Sequence, residues 1–204
     1  MPRRTYTKLR RTALEEETRE RIVRATVALH ARHGGLGTSY AMIAKQAGVS
    51  PQTVYNHFPD LAALFGACTG HVEDGAPPLG PETLRRGRTP AARLRLLAAA
   101  AYARHEHLAP WMRLGWYEAA LIPELGAIAA RGEAALRQLI AAAVAPEREP
   151  TDAFVDAAFV LLDYPAWKAL TRDRPTAEAA RIAADSLSDL LPRLTRARSR
   201  KAKP

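Results

Sequence analysis

Between Gln52 and His57 the chain carries five side chains able to form hydrogen bonds, Gln52, Thr53, Tyr55, Asn56 and His57, with Val54 among them and Phe58 just after. Residues four apart share one side of a helix, so Val54 and Phe58 mark an inward side and the polar five face outward. That outer side has hydrogen-bonding groups but neither lysine nor glutamate, which a merely solvated face would carry. Such a surface suits the major groove of duplex DNA, where base edges present distinct patterns of donors and acceptors. Gln52 is placed for a bidentate contact to a base, while Thr53, Tyr55 and His57 can reach phosphate oxygens.

The elements that must hold this face are legible on either side of it. Ser50 is an N-cap, Pro51 takes the first helical position where a missing N–H costs nothing, and Val49 with Val54 forms a hydrophobic staple. Gly48 sits at a sharp turn ending a preceding short helix. That helix is capped by Thr38 or Ser39, begins near Tyr40, and buries Ile43, Ala44 and Ala47, with alanines allowing a close crossing. The expected DNA-contacting set is Thr38, Ser39, Tyr40, Ser50, Pro51, Gln52, Thr53, Tyr55, Asn56 and His57.

Charge follows the same division. Residues 1–58 hold ten Lys/Arg against four Asp/Glu, residues 59–191 fourteen against seventeen, and residues 192–204 six against none. Positive ends beside a mildly acidic middle are the electrostatic footprint of a nucleic-acid binder, although a basic tail at 193–204 serves solubility equally well. One cysteine, Cys68, allows no intrachain disulfide and no cysteine-based zinc cluster. Without an apolar leader or an apolar run long enough to span a bilayer, a cytoplasmic address without membrane insertion is expected. No phosphate loop, nucleophile elbow or acid/base carboxylate pair occurs, so an enzyme is not expected, and no cofactor or metal is ascribed.

Alanine, leucine and arginine dominate, so the expected class is all-α with about nine helices and almost no strand. Residues 1–14 lack an apolar period and read as a flexible basic arm. A first helix begins near Glu16–Glu20 and ends at Gly34-Gly35; a fourth runs from an Asp60 cap towards His71. Residues 15–74 then form one domain, and the Gly/Pro-rich segment around 75–81 a boundary. Helical stripes continue through 79–195, in four parts: around Leu94–His105 and Leu125–Leu139, with the short aromatic segment Trp111–Tyr117 between, and from Asp152 to Thr171 and Thr176 to Leu194. Residues 196–204 form a basic tail. Pro165 should kink the helix around it and free a carbonyl near Leu161.

The run Ile43-Ala44, Ala47-Gly48-Val49-Ser50, Thr53, Tyr55, Phe58 resembles the DNA-binding domain of the TetR family, matching every fixed position of that pattern. The similarity reaches back over the first helix and forward to Leu64 and Phe65; beyond them only helix number and order correspond. The resemblance implies a three-helix DNA-binding domain joined by a fourth helix to a larger helical domain for effector binding and dimerisation. It implies repression of a palindromic operator, released when a small molecule moves the fourth helix and changes the separation of two recognition helices. One departure stands out: similar sequences carry a phosphate-binding lysine near the start of the fourth helix, where this chain has Leu61. The basic arm of residues 3–11 is expected to substitute for that contact by lying along the DNA.

A homodimer is expected through the last two helices, with Ala179, Ala180, Ala183, Ala184, Leu187, Leu190, Leu191 and Leu194 supplying either the interface or the protomer's own core. Tyr102, His105, Trp111, Trp116, Tyr117, Phe159, Asp163 and Trp167, with Arg104, His107 and Glu118 nearby, could line a largely apolar effector cavity or be ordinary core side chains. A DNA-binding or protein-interaction module without a ligand is the alternative reading.

Overall fold

A computed structural model describes residues 3–197, with side chains from residue 10 onward. The basic tail beyond residue 197, and the side chains of Arg3, Arg4 and Lys8, lie outside the described residues. Among those described, nine α-helices carry nearly all the regular structure: α1 (Arg3–His33), α2 (Tyr40–Ala47), α3 (Pro51–His57), α4 (Leu61–Asp74), α5 (Pro90–Glu118), α6 (Pro123–Val144), α7 (Asp152–Leu162), α8 (Tyr164–Leu170) and α9 (Thr176–Leu194). A 3-10 turn lies at Pro81–Leu84, and β1 (Arg148–Pro150) pairs antiparallel with β2 (Thr195–Ala197), Glu149 opposite Arg196.

The chain divides into two compact units, one of residues 1–75 with 110–127, the other of 76–109 with 128–204. In the first, α1 to α4 enclose a core of Ile22, Val23, Leu29, Ile43, Ala44, Val54, Phe58, Leu64 and Cys68. The flexible arm expected at residues 1–14 is corrected: the helix is continuous from Arg3. An apolar period reports burial rather than helicity, and residues 10–17 are exposed, so they have no period to show. Their arginines, leucine, alanine and glutamates favour helix intrinsically, and Arg11 pairs with Glu15 one turn on at 3.0 Å.

In the second unit, Leu94, Leu97, Ala98, Ala101 and Tyr102 of α5 pack with Leu139, Ile140 and Ala143 of α6, Phe154, Ala158 and Leu162 of α7, and the inner side of α9. Arg93, nearly buried, ties the start of α5 to the end of α6 by donating to the Ala143 carbonyl at 2.6 Å and pairing with Glu147. The inner side of α9 is Ala179, Ala180, Ala183, Ala184, Leu187 and Leu191, all buried within the protomer. Of the eight residues expected either at a dimer interface or in the protomer's own core, these six are therefore in the core, with Leu190 and Leu194 partly buried against it.

Two prolines behave oppositely. The expected single helix from 152 to 171 is two, because Asp163 precedes Tyr164-Pro165 and its carboxylate accepts the Tyr164 N–H at 2.8 Å, capping a new helix. Pro110 has Ala109 before it, which cannot cap, and α5 runs through without a break, absorbing the aromatic segment expected to stand alone.

Candidate nucleic-acid interface

The turn before the outward-facing helix is built by local chemistry alone. Ser39 accepts the Met42 N–H at 3.2 Å and starts α2; Thr38 does not cap, its hydroxyl donating instead to the Gly34 carbonyl at 2.6 Å. Gly48 ends α2 with φ 65°, a left-handed conformation that suits glycine, and the Val49 N–H reaches back to the Ala44 carbonyl at 3.0 Å. Ser50 then caps α3 by accepting the Thr53 N–H at 3.1 Å, with Pro51 in the first turn. Val54 and Phe58 are fully buried beneath, and the Arg19 guanidinium lies 4.5 Å above the Phe58 ring.

The face presented by α3 is Gln52, Tyr55 and Asn56, all exposed, flanked by the half-buried Thr53 and His57. Gln52 Nε2 donates to Asn56 Oδ1 at 3.0 Å across one turn. This leaves Gln52 Oε1 and its second N–H for a base edge, the donor–acceptor pair that adenine accommodates. Ser50 and Thr53 hydroxyls lie 2.8 Å apart, so one is donor to the other and the second proton points elsewhere. Tyr40 and Tyr55 stack at 4.4 Å with planes 5° apart, and the Tyr40 hydroxyl donates to the Phe58 carbonyl at 3.1 Å. Two residues expected as separate DNA contacts are therefore one rigid pair joining α2 to α3, with Tyr55 still 49% exposed. Leu61 opens α4 at 46% exposure.

Sequence reasoning missed how the loop before α2 is fixed. Glu118, at the end of α5, is buried, and its carboxylate accepts the Gly35 N–H at 2.7 Å and the Leu36 N–H at 3.1 Å. Gly34, with φ +74°, lies so close that a Cβ there would stand 2.2 Å from Glu118 Oε1. Trp111 adds a second tie, its indole N–H donating to the Val27 carbonyl of α1 at 2.9 Å. His30 stacks on Phe65, and burial holds its pKa below the ordinary 6.5 against the raising influence of Glu118. These partners lie some eighty residues from α1 and α2 in sequence, and no local signal marks them.

The side chains expected to line an effector cavity fall into two groups. Trp111, Trp116 and Tyr117 belong to the first unit, Tyr117 being 64% exposed. Tyr102, His105, Phe159, Asp163 and Trp167 belong to the second, where Tyr102, His105 and Trp167 join Tyr164 in a continuous set of ring contacts. Phe159 instead lies under the Arg137 guanidinium at 4.5 Å, and Asp163 is the α8 cap. Burial pushes the Asp163 carboxyl above its ordinary range. The carbonyl freed near Pro165 is there: Leu161 accepts the Tyr102 hydroxyl at 2.9 Å.

Residues 22–68 match the family model for bacterial regulatory proteins of the tetR family. Among solved structures, a protein from Mesorhizobium loti assigned to the TetR-family transcriptional regulators is 25% identical, with 89% of this chain and 98% of that one aligned at a TM-score of 0.67. Another from a Rhodococcus species is 22% identical over 85% and 98%, at 0.66. The multidrug binding protein EbrR, solved with imidazole, is 25% identical over 86% and 90%, at 0.61. Among curated proteins no match was found.

Proposed function

We propose that this chain, whose residues 22–68 match the model for bacterial regulatory proteins of the tetR family, represses transcription from a palindromic operator and is released by a small neutral molecule. The observation that carries the DNA-binding part is the exposed Gln52–Asn56 face of α3, fixed below by Val54 and Phe58 and behind by the Ser50 cap. One such face spans only a few base pairs, so specific affinity calls for two copies reading half-sites about one helical turn apart. The second copy docks on the outward sides of α7 and α9, where Val160 is 65% exposed and Arg181, Asp185 and Asp189 also face out.

Effector release is supported by the aromatic and imidazole rings gathered around His105 in the second unit, and by the imidazole-bound state of the related EbrR. A coupling of about 1–3 kcal/mol changes operator affinity roughly 5- to 150-fold.

Selection of genomic fragments by the purified chain tests the reading. A recovered inverted repeat, with half-site centres about one turn apart and binding lost on Gln52→Ala, is the expected result; indifference to every duplex at low salt refutes it. A regulator without a ligand would still yield the repeat, but no compound would alter its affinity.

A further inference from the structure

The break between α7 and α8 leaves two carbonyls without helical partners, and α5 supplies a side chain to each. Tyr102 donates its hydroxyl to Leu161, and His105 Nε2 lies 2.8 Å from the Leu162 carbonyl. A carbonyl only accepts, so Nε2 must carry a proton, and in the neutral ring Nδ1 is then a bare lone pair. That Nδ1 is buried and meets no hydrogen-bond partner in the protein. Trp167 Nε1, on the ring 6.3 Å away, is likewise buried without one. Native interiors leave few such atoms, and these two are neighbours of opposite polarity, an acceptor beside a donor. Tyr102 and Tyr164 each meet the His105 ring in an edge-on arrangement, and Tyr164 stacks on Trp167 at 5.4 Å.

We propose that His105 Nδ1 and Trp167 Nε1 are the recognition pair for the effector, and that the effector is a neutral, planar molecule of the aromatic-amide class. Its carbonyl accepts from the indole N–H, its amide N–H donates to the imidazole, and its ring lies among the tyrosines. This assignment rests on the effector reading above and narrows it. An anion fits poorly, because a carboxylate would satisfy the indole donor but turn a second lone pair towards Nδ1. A cation fits poorly for the mirrored reason at the indole. Burial lowers the His105 pKa from its ordinary 6.5, opposed by the hydrogen bond to the Leu162 carbonyl and aided by Arg104, which favours the neutral ring whose Nδ1 accepts.

The test titrates benzamide into the full chain, following the Trp167 indole N–H and the His105 ring nitrogens by nitrogen-15 NMR, with benzoate and ethylbenzene as controls. Benzamide should move the Trp167 indole and His105 Nδ1 signals together to saturation, and the controls neither. Trp167→Phe and His105→Phe should each weaken binding about tenfold, the scale of one buried hydrogen bond. The proposal is overturned if millimolar benzamide moves neither signal, if benzoate or ethylbenzene moves both alike, or if a long-lived water alone bridges the two atoms throughout. The wild-type titration decides this even should a variant fail to fold. Operator release is measured separately: benzamide bound at this pair without effect on DNA affinity leaves the site standing and removes the effector reading. A compound that releases DNA without moving either signal does the reverse.

Discussion

Gly34 and Gly48 both adopt left-handed backbone, yet their surroundings separate them. A Cβ on Gly48 meets nothing within 4 Å, so Gly48→Ala should cost only the conformational term, about 1 kcal/mol. A Cβ on Gly34 would collide with Glu118, so Gly34→Ala should cost well over that, and the excess should vanish in a Glu118→Ala background. Chemical denaturation of the wild type, the two glycine variants, Glu118→Ala and the Gly34→Ala/Glu118→Ala double variant measures it; equal losses for the two glycine variants would remove Glu118 from the account. Histidine supplies a pH dependence at the same scale. His30 and His105 have pKa values lowered by burial, so the unfolded chain takes up protons below about pH 6.5 that the folded chain refuses. Stability is full above that pH and declines as pH falls towards the lowered folded values. Melting temperature should drop between pH 7 and 5, and drop less in His105→Phe.

At the scale of elements, the seven-residue α3 depends on its cap. Ser50→Ala should remove about 1 kcal/mol of stability and weaken operator binding without changing which bases are preferred, whereas Gln52→Ala should relax the preference at one position in each half-site. Binding-site selection with each variant distinguishes the two effects. The helical start of α1 belongs here as well. Arg10 and Arg11 extend an exposed helix where a loose arm was expected, and if that helix lies along phosphates in place of the missing lysine at Leu61, replacing both by Gln should reduce the slope of log affinity against log salt by about two. An unchanged slope would detach this extension from DNA.

For the molecule as a whole, the placement of α9 matters most. Its alanine and leucine side is inside the protomer, so Ala183→Leu should lower the melting temperature at every protein concentration rather than act through dissociation. Substituting the exposed Val160 with Arg should do the opposite, leaving the fold intact while shifting sedimentation towards monomer. No helix among the described residues is long and apolar enough to cross a membrane.

Ser50, Pro51 and Gly48 could be assigned roles before any coordinates because caps, first-turn prolines and left-handed glycines act within about four residues of themselves, and the Val54–Phe58 pair shares that range. The freed Leu161 carbonyl was legible for the same reason, since proline acts one turn back. Tertiary structure alone decided what fills those local vacancies: that Tyr102 takes the carbonyl, that Glu118 reaches the amides before α2, and that Tyr40 lies flat on Tyr55. It also decided whether the apolar side of α9 faces its own chain or another, because periodicity marks a side that must be covered and is silent about the surface that covers it.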